Sequence, residues 1–195
     1  MILKNAEVFN GDFEKIRADV KIDGEKISKI GEFSSEDGLD LTGLVVMPGL
    51  IDMHIHGCGG ADTGDATPEA LETMSQTLVK NGVTSFCPAS MTLSFEELTK
   101  IFANIDAMKD KVGGAYIHGA NMEGPYIAMS KKGAQNPLYV RNPDKEEFKK
   151  LYEGCNGAIR VVDIAPECDG AFSDRSPARA ERTCHSSFAA YRRTV

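Results

Sequence analysis

The feature that most restricts what this chain can fold into is an alternation of short apolar runs and capped helical segments that starts at Pro48. Leu50 to Ile55 reads as a buried-type strand, and Gly57-Cys58-Gly59-Gly60 as a loop. A helix follows, with Thr67 as N-cap, Pro68 at its first position and Asn81-Gly82 as its stop. Val83 to Phe86 is the next strand. Ser94 and Glu97 form a capping box for a second helix, which sets Leu98, Ile101, Phe102 and Ile105 on one face. Ala115 to Ile117 starts a third strand, Asn142-Pro143 opens a third helix through Tyr152, and Ile159 to Ile164 is a fourth strand. Such alternation implies parallel β/α units, in either a doubly wound sheet or a (β/α)8 barrel. About four units are present where a whole barrel takes roughly 250 residues, so the chain can supply about half of one.

Residues 1–47 read differently. Ile2 to Asn10 and Asp19 to Ile30 alternate apolar and polar residues, Asp23-Gly24 splits the second stretch into a hairpin, and Asp40 to Met47 is a further apolar run. Residues 168–195 differ again. Before Cys168 the positive charge is almost all lysine. After it there is no lysine, but Arg175, Arg179, Arg182, Arg192 and Arg193 appear. A natural polar tail, a linker and a change of reading frame are the three readings of that switch, and poor order is expected there.

Charge and composition exclude some classes. A net charge of −7 over 195 residues argues against nucleic acid or an anionic membrane as the main partner. No run approaches the roughly 20 apolar residues of a membrane span, and the start lacks the apolar stretch of a signal peptide. Five irregularly spaced cysteines read as free thiols in a reducing cytoplasm.

The chemistry is concentrated in two places. In Pro48-Gly49-Leu50-Ile51-Asp52-Met53-His54-Ile55-His56-Gly57, residues two apart on a strand face the same side. His54 and His56 can therefore aim two imidazoles at one ion, at the strand end where barrel enzymes carry their sites. A bare His-x-His is more often an ordinary pair of strand histidines; the apolar run before it and the glycines after it favour ligands. Glu123, in Asn121-Met122-Glu123-Gly124-Pro125-Tyr126, is a carboxylate beside glycine and proline on a strand-end loop, suited to a cation or simply to solvent. His118 reads as a packed or hydrogen-bonded strand residue, and Cys58 as a small loop thiol.

These strings carry a resemblance. PGLIDMHIHG resembles the first-strand signature of the amidohydrolase superfamily. NMEGPYI and the following KKGAQNP (131–137) are similar to the N-acetylglucosamine-6-phosphate deacetylases, as are VTSFCPASMT (83–92) and VDIAPE, over residues 1 to about 167. The resemblance implies an α/β chain: a partial (β/α)8 TIM-like barrel over 48–167, preceded by part of a small β-sandwich domain over 1–47. It implies hydrolysis of N-acetylglucosamine 6-phosphate to glucosamine 6-phosphate and acetate. It makes His54, His56 and Glu123 ligands of one or two divalent ions, zinc with iron as the alternative, and Ala134, Gln135 and Asn136 substrate-binding residues. A cytoplasmic, homodimeric full-length enzyme is also implied, with a phosphosugar as its small-molecule partner.

The sequence departs from that pattern. Gln135 and Asn121 stand where many members have histidine, and Gln135 can donate a hydrogen bond but cannot act as an acid. The later ligand histidines, the catalytic aspartate and the phosphate-binding residues lie beyond the region of resemblance, and His185 matches none of them. The expectation is a deacetylase fragment with little or no activity, whose open sheet edges invite pairing. Two alternatives stay open: another amidohydrolase, such as a cyclic-amide hydrolase, and a non-catalytic half-barrel that self-associates.

Overall fold

In the computed structural model, residues 1–33 and 37–171 are described, together with the backbone of 188–190. The chain divides into two compact units, Met1–Gly49 and Leu50–Val195.

The first unit is one five-stranded sheet. Strand β1 (Ile2–Phe9) pairs antiparallel with β2 (Lys15–Asp23), and β2 with β3 (Lys26–Gly31). The short strands β4 (Leu39–Asp40) and β5 (Val45–Val46) both run parallel to β1. Ala6, Val8, Ala18 and Val20 form its core, two from each central strand at alternate positions, as the period of a half-buried strand requires. The hairpin turns through Gly24, whose φ of +60° suits glycine. Two expectations need adjusting. The second strand starts at Lys15, earlier than Asp19, because Lys15 to Ala18 extends the ladder along Ala6 to Phe9. The run from Asp40 to Met47 is not one strand, since it turns at Gly43 (φ +82°) between β4 and β5.

The second unit is mixed α/β. Strands β6 (Leu50–Ile55), β9 (Val83–Pro88) and β10 (Tyr116–Ile117) form a parallel sheet with β9 in the middle. After β6 the chain makes a small hairpin of β7 (Gly57–Cys58) and β8 (Ala61–Asp62), where a plain loop was expected. Strand β11 (Ala120–Glu123) pairs parallel with β12 (Ile159–Asp163), and a bridge from Ala89 to Asn121 ties it to the chain after β9. The third strand is thus broken at His118-Gly119: its first half lies on β9 and its second on β12. Gly119 has φ +138°, and a Cβ there would run into Arg160 and the Ala158 carbonyl.

Three helices cover this sheet among the described residues. Helix α1 (Pro68–Lys80) is capped by Thr67, whose side chain accepts from the Ala70 N–H, and stops at Asn81 before Gly82. Helix α2 (Phe95–Met108) has both halves of the capping box, Ser94 to the Glu97 N–H and Glu97 to the Ser94 N–H. Its Leu98, Ile101, Phe102 and Ile105 are each at most 1% exposed and pack with Leu71, Met74 and Phe86. Burying each such side chain contributes about 1.5–3 kcal/mol. Helix α3 (Lys145–Gly154) starts after Asp144, not at Pro143, because the Asp144 carboxylate accepts from two helix N–H groups and so defines the end.

Strand β6 differs from the buried strand expected. Among the described residues it pairs only with β9, and Leu50, Ile51 and Met53 are 53%, 62% and 65% exposed. A strand with one neighbour leaves its apolar side chains half-covered, whatever its composition. The expected poor order of 168–195 falls mostly outside the described residues, as does His185. Phe188–Ala190, however, form strand β13 antiparallel to β12.

Candidate metal centre

The site is built from the C-terminal ends of two strands that are not neighbours. Strand β6 delivers His54 and, one residue past its end, His56; β11 delivers Glu123, and β9 lies between them. His54 Nε2 and His56 Nε2 are 3.3 Å apart. Glu123 Oε2 is 3.2 Å from the first and 2.8 Å from the second. These three groups form a cluster with ligand atoms all within 4.8 Å of one another.

The donor set can be tested for fit. Bonds of about 2.0–2.1 Å in a tetrahedron set the ligand atoms about 3.3 Å apart. Two of the three edges match, and the third is shorter by a few tenths of an ångström. Glu123 Oε2 is buried with no hydrogen-bond partner despite its two imidazole neighbours. Two imidazole nitrogens and one carboxylate oxygen are the ligand types a borderline divalent ion prefers. The residues fit a divalent cation.

The surrounding groups orient these three side chains. His56 Nδ1 is 3.1 Å from the Ala89 carbonyl oxygen, which can only accept. Nδ1 therefore carries the proton, and the Nε2 lone pair faces Glu123. The same Ala89 is held in place by its N–H donating to the Ile55 carbonyl. His54 Nδ1 faces the Asn121 side-chain nitrogen at 3.0 Å and Asp163 Oδ2 at 3.8 Å. Burial pushes the Asp163 carboxyl up to about 6, against the pull of His54 and with the repulsion of Glu123. Gly124 follows the ligand carboxylate at φ +67°, and a Cβ there would collide with Thr92 Oγ1.

The other anticipated residues fall elsewhere. Gln135 is buried, and its carbonyl oxygen accepts from the Thr92 N–H at 2.8 Å. Its amide nitrogen has only Met91 Sδ at 3.8 Å, a weak acceptor, so it is the half with donor capacity to spare. Ala134 and Asn136 are exposed, and the Asn136 side-chain oxygen Oδ1 accepts from the Leu138 N–H. None of the three shares a hydrogen bond with the metal-ligand cluster. His118 is exposed and packs edge-on against Tyr116; its backbone N–H is bonded to Phe86. Cys58 donates weakly to the Met74 carbonyl, and burial pushes its thiol up, which disfavours a thiolate ligand. Asp62 orders the turn after β8 by accepting from the Gly64 N–H. Asp163 and the Ala89 carbonyl are contributors that the sequence motifs do not single out. The first is one of two acids in VDIAPE, with nothing there to set it apart from Glu167, and a backbone carbonyl leaves no trace in residue type.

A model of the amidohydrolase family matches residues 45–178. The chain belongs to the amidohydrolase family. Within it, this amidohydrolase is 37% identical over 132 residues to the N-acetylglucosamine-6-phosphate deacetylase of Bacillus subtilis (strain 168), covering 66% of this chain and 33% of that one. It is 32% identical over 171 residues to the deacetylase of the same name from Lysinibacillus sphaericus, covering 86% and 44%. Its fold is similar to that of an N-acetyl-D-glucosamine-6-phosphate deacetylase variant from Mycobacterium smegmatis, in complex with N-acetyl-D-glucosamine-6-phosphate. That match has a TM-score of 0.80 at 27% identity, covering 88% of this chain and 45% of that one. The chain therefore spans between a third and a half of the length of these relatives.

Proposed function

We propose that this chain carries the first- and third-strand portion of an N-acetylglucosamine-6-phosphate deacetylase site, with His54, His56 and Glu123 as ligands of a divalent ion. The observation that carries the reading is the convergence of two Nε2 atoms and one carboxylate oxygen within 3.3 Å. Zinc suits the donor set and its spacing; iron is the alternative. When bound, the ion supplies acidification of water and polarisation of an amide carbonyl. Gln135 is the residue proposed to donate to the acetamido oxygen, through the amide nitrogen left free by Thr92, with Ala134 and Asn136 beside it. The carboxylate at the third strand favours this reading over a cyclic-amide hydrolase.

The fold reading that accompanies it is a partial (β/α)8 barrel preceded by part of a small β-sandwich. The successive parallel strands β6, β9, β10–β11 and β12 support the first, and the single sheet of Met1–Gly49 supplies one face of the second. A cytoplasmic, homodimeric parent enzyme acting on a phosphosugar belongs to the same proposal. No helix among the described residues is long and apolar enough to cross a membrane.

Among the described residues, the proton-shuttling aspartate and the later histidines expected of such an enzyme have no counterpart in the ligand cluster. Little or no turnover is therefore expected from this chain alone. Acetate release from N-acetylglucosamine 6-phosphate, measured with added zinc, tests this. Turnover of about 1 per second or more, the range of ordinary enzymes, would overturn it.

A further inference from the structure

We propose that Asp163 is a positioning residue for the metal centre: its carboxylate accepts a hydrogen bond from the Nδ1–H of His54 when Nε2 of that ring serves as a ligand. The inference rests on His54, His56 and Glu123 being the ligands, and it concerns a residue outside that set.

A neutral imidazole has one N–H and one lone pair. For Nε2 of His54 to present a lone pair to a cation, the proton must sit on Nδ1. Two side chains face that atom. The Asn121 amide nitrogen is 3.0 Å away and also donates to the Met53 carbonyl at 3.1 Å. An amide nitrogen only donates, so against a protonated Nδ1 it sets donor against donor. Turning the amide over would put its oxygen against the Met53 carbonyl, acceptor against acceptor. Asn121 is therefore matched to the other tautomer, with the proton on Nε2 facing Glu123.

Asp163 is the remaining neighbour. Its Oδ2 is 3.8 Å from Nδ1. The residue is 5% exposed, and its Oδ1 is buried with no hydrogen-bond partner. It thus holds acceptor capacity that no described residue uses, and leaving a buried acceptor idle is destabilising. The β11–β12 register sets Asp163 directly beside Glu123, so one ladder places both carboxylates. A swing of about 1 Å by ring or carboxylate brings the pair to the 2.7–2.9 Å of a charge-assisted hydrogen bond. Asn121 and Asp163 thus offer opposite hydrogen-bond characters to one nitrogen, and the acid selects the tautomer that binds metal.

The test is zinc affinity by competition with a chromophoric chelator, together with nitrogen-15 NMR of the imidazoles. Asp163→Ala is expected to weaken zinc about 10–100-fold. Asp163→Asn, whose oxygen still accepts, recovers most of that loss. So does the double variant Asn121→Asp with Asp163→Ala, which puts an acceptor at the 3.0 Å position. In the zinc-loaded parent, His54 shows a protected Nδ1 proton. Zinc binding by Asp163→Ala within threefold of the parent overturns the proposal, as does Asp163→Asn binding no better than Asp163→Ala. Absence of the protected Nδ1 proton in the loaded parent overturns it without any variant, so the question is settled even if Asp163→Ala fails to fold. His56→Ala separates the two readings: if it too binds zinc like the parent, the ligand assignment falls and this proposal with it.

Discussion

His54 lies on β6 and His56 directly after its end, and both face one point, yet their protons are fixed by different means. His56 has a backbone carbonyl behind it and is committed to one tautomer, whereas His54 has an amide and an acid within reach. Loss of the carboxylate they share should be felt by both. Glu123→Gln keeps the side chain's size and removes its charge, so zinc affinity should fall by more than about 100-fold, beyond the roughly 10–100-fold expected when a group that only supports a ligand is lost. Chelator competition checks this, and unchanged affinity removes Glu123 from the ligand set. Gln135 has a structural duty as well as its proposed one. Gln135→Ala leaves the buried Thr92 N–H unpaired, which should cost about 1–3 kcal/mol in a urea titration. The convergence of the histidine pair was legible in the sequence because strand periodicity brings positions 54 and 56 to one side, whereas Glu123 was singled out by the resemblance of NMEGPYI and not by any period. Asp163 was not, because what makes it distinctive is an idle oxygen atom, and idleness is a property of packing.

Helix α2 is the element whose sequence and structure agree most closely. Its start is fixed by a reciprocal side-chain pair and its buried face by a 3.6-residue period, both local in sequence. Phe102→Ala should therefore cost about 3–5 kcal/mol, and Ser94→Ala about 1 kcal/mol, by denaturant midpoint. The broken third strand was not legible, since the close neighbours of Gly119 at the break, Arg160 and Ala158, lie far along the chain. In the first unit, Asp19 accepts from the Asn5 and Phe33 N–H groups at 2.8 and 2.9 Å. Those bonds, that of Asn5 foremost, hold its carboxyl below the usual range. A lowered folded value stabilises above the ordinary carboxylate range near 3.8, and the benefit is lost as pH falls through the folded value. Asp19→Asn should accordingly destabilise this sheet at pH 7 and much less at pH 3. Equal loss at both pH values would show that the charge is not what matters.

For the molecule as a whole, strand–helix alternation conveyed the α/β class and the order of units, because each helix carries its own caps. It did not convey how well each strand is covered. Leu50, Ile51 and Met53 have the composition of a buried strand but lie at a sheet edge. Burial depends on what lies alongside, which no window of sequence contains. The placement of the ligands has a mechanical consequence. Positions 54 and 123 belong to separate sheet segments joined by the bridge from Ala89 to Asn121. A cation gripping both would act as a clasp, fastening together parts of the chain that unfolding must separate. By mass action, zinc at a hundred times its dissociation constant should add about 2.7 kcal/mol to the folded state. Melting should therefore shift upward with zinc and return with a chelator, and the shift should vanish in His56→Ala.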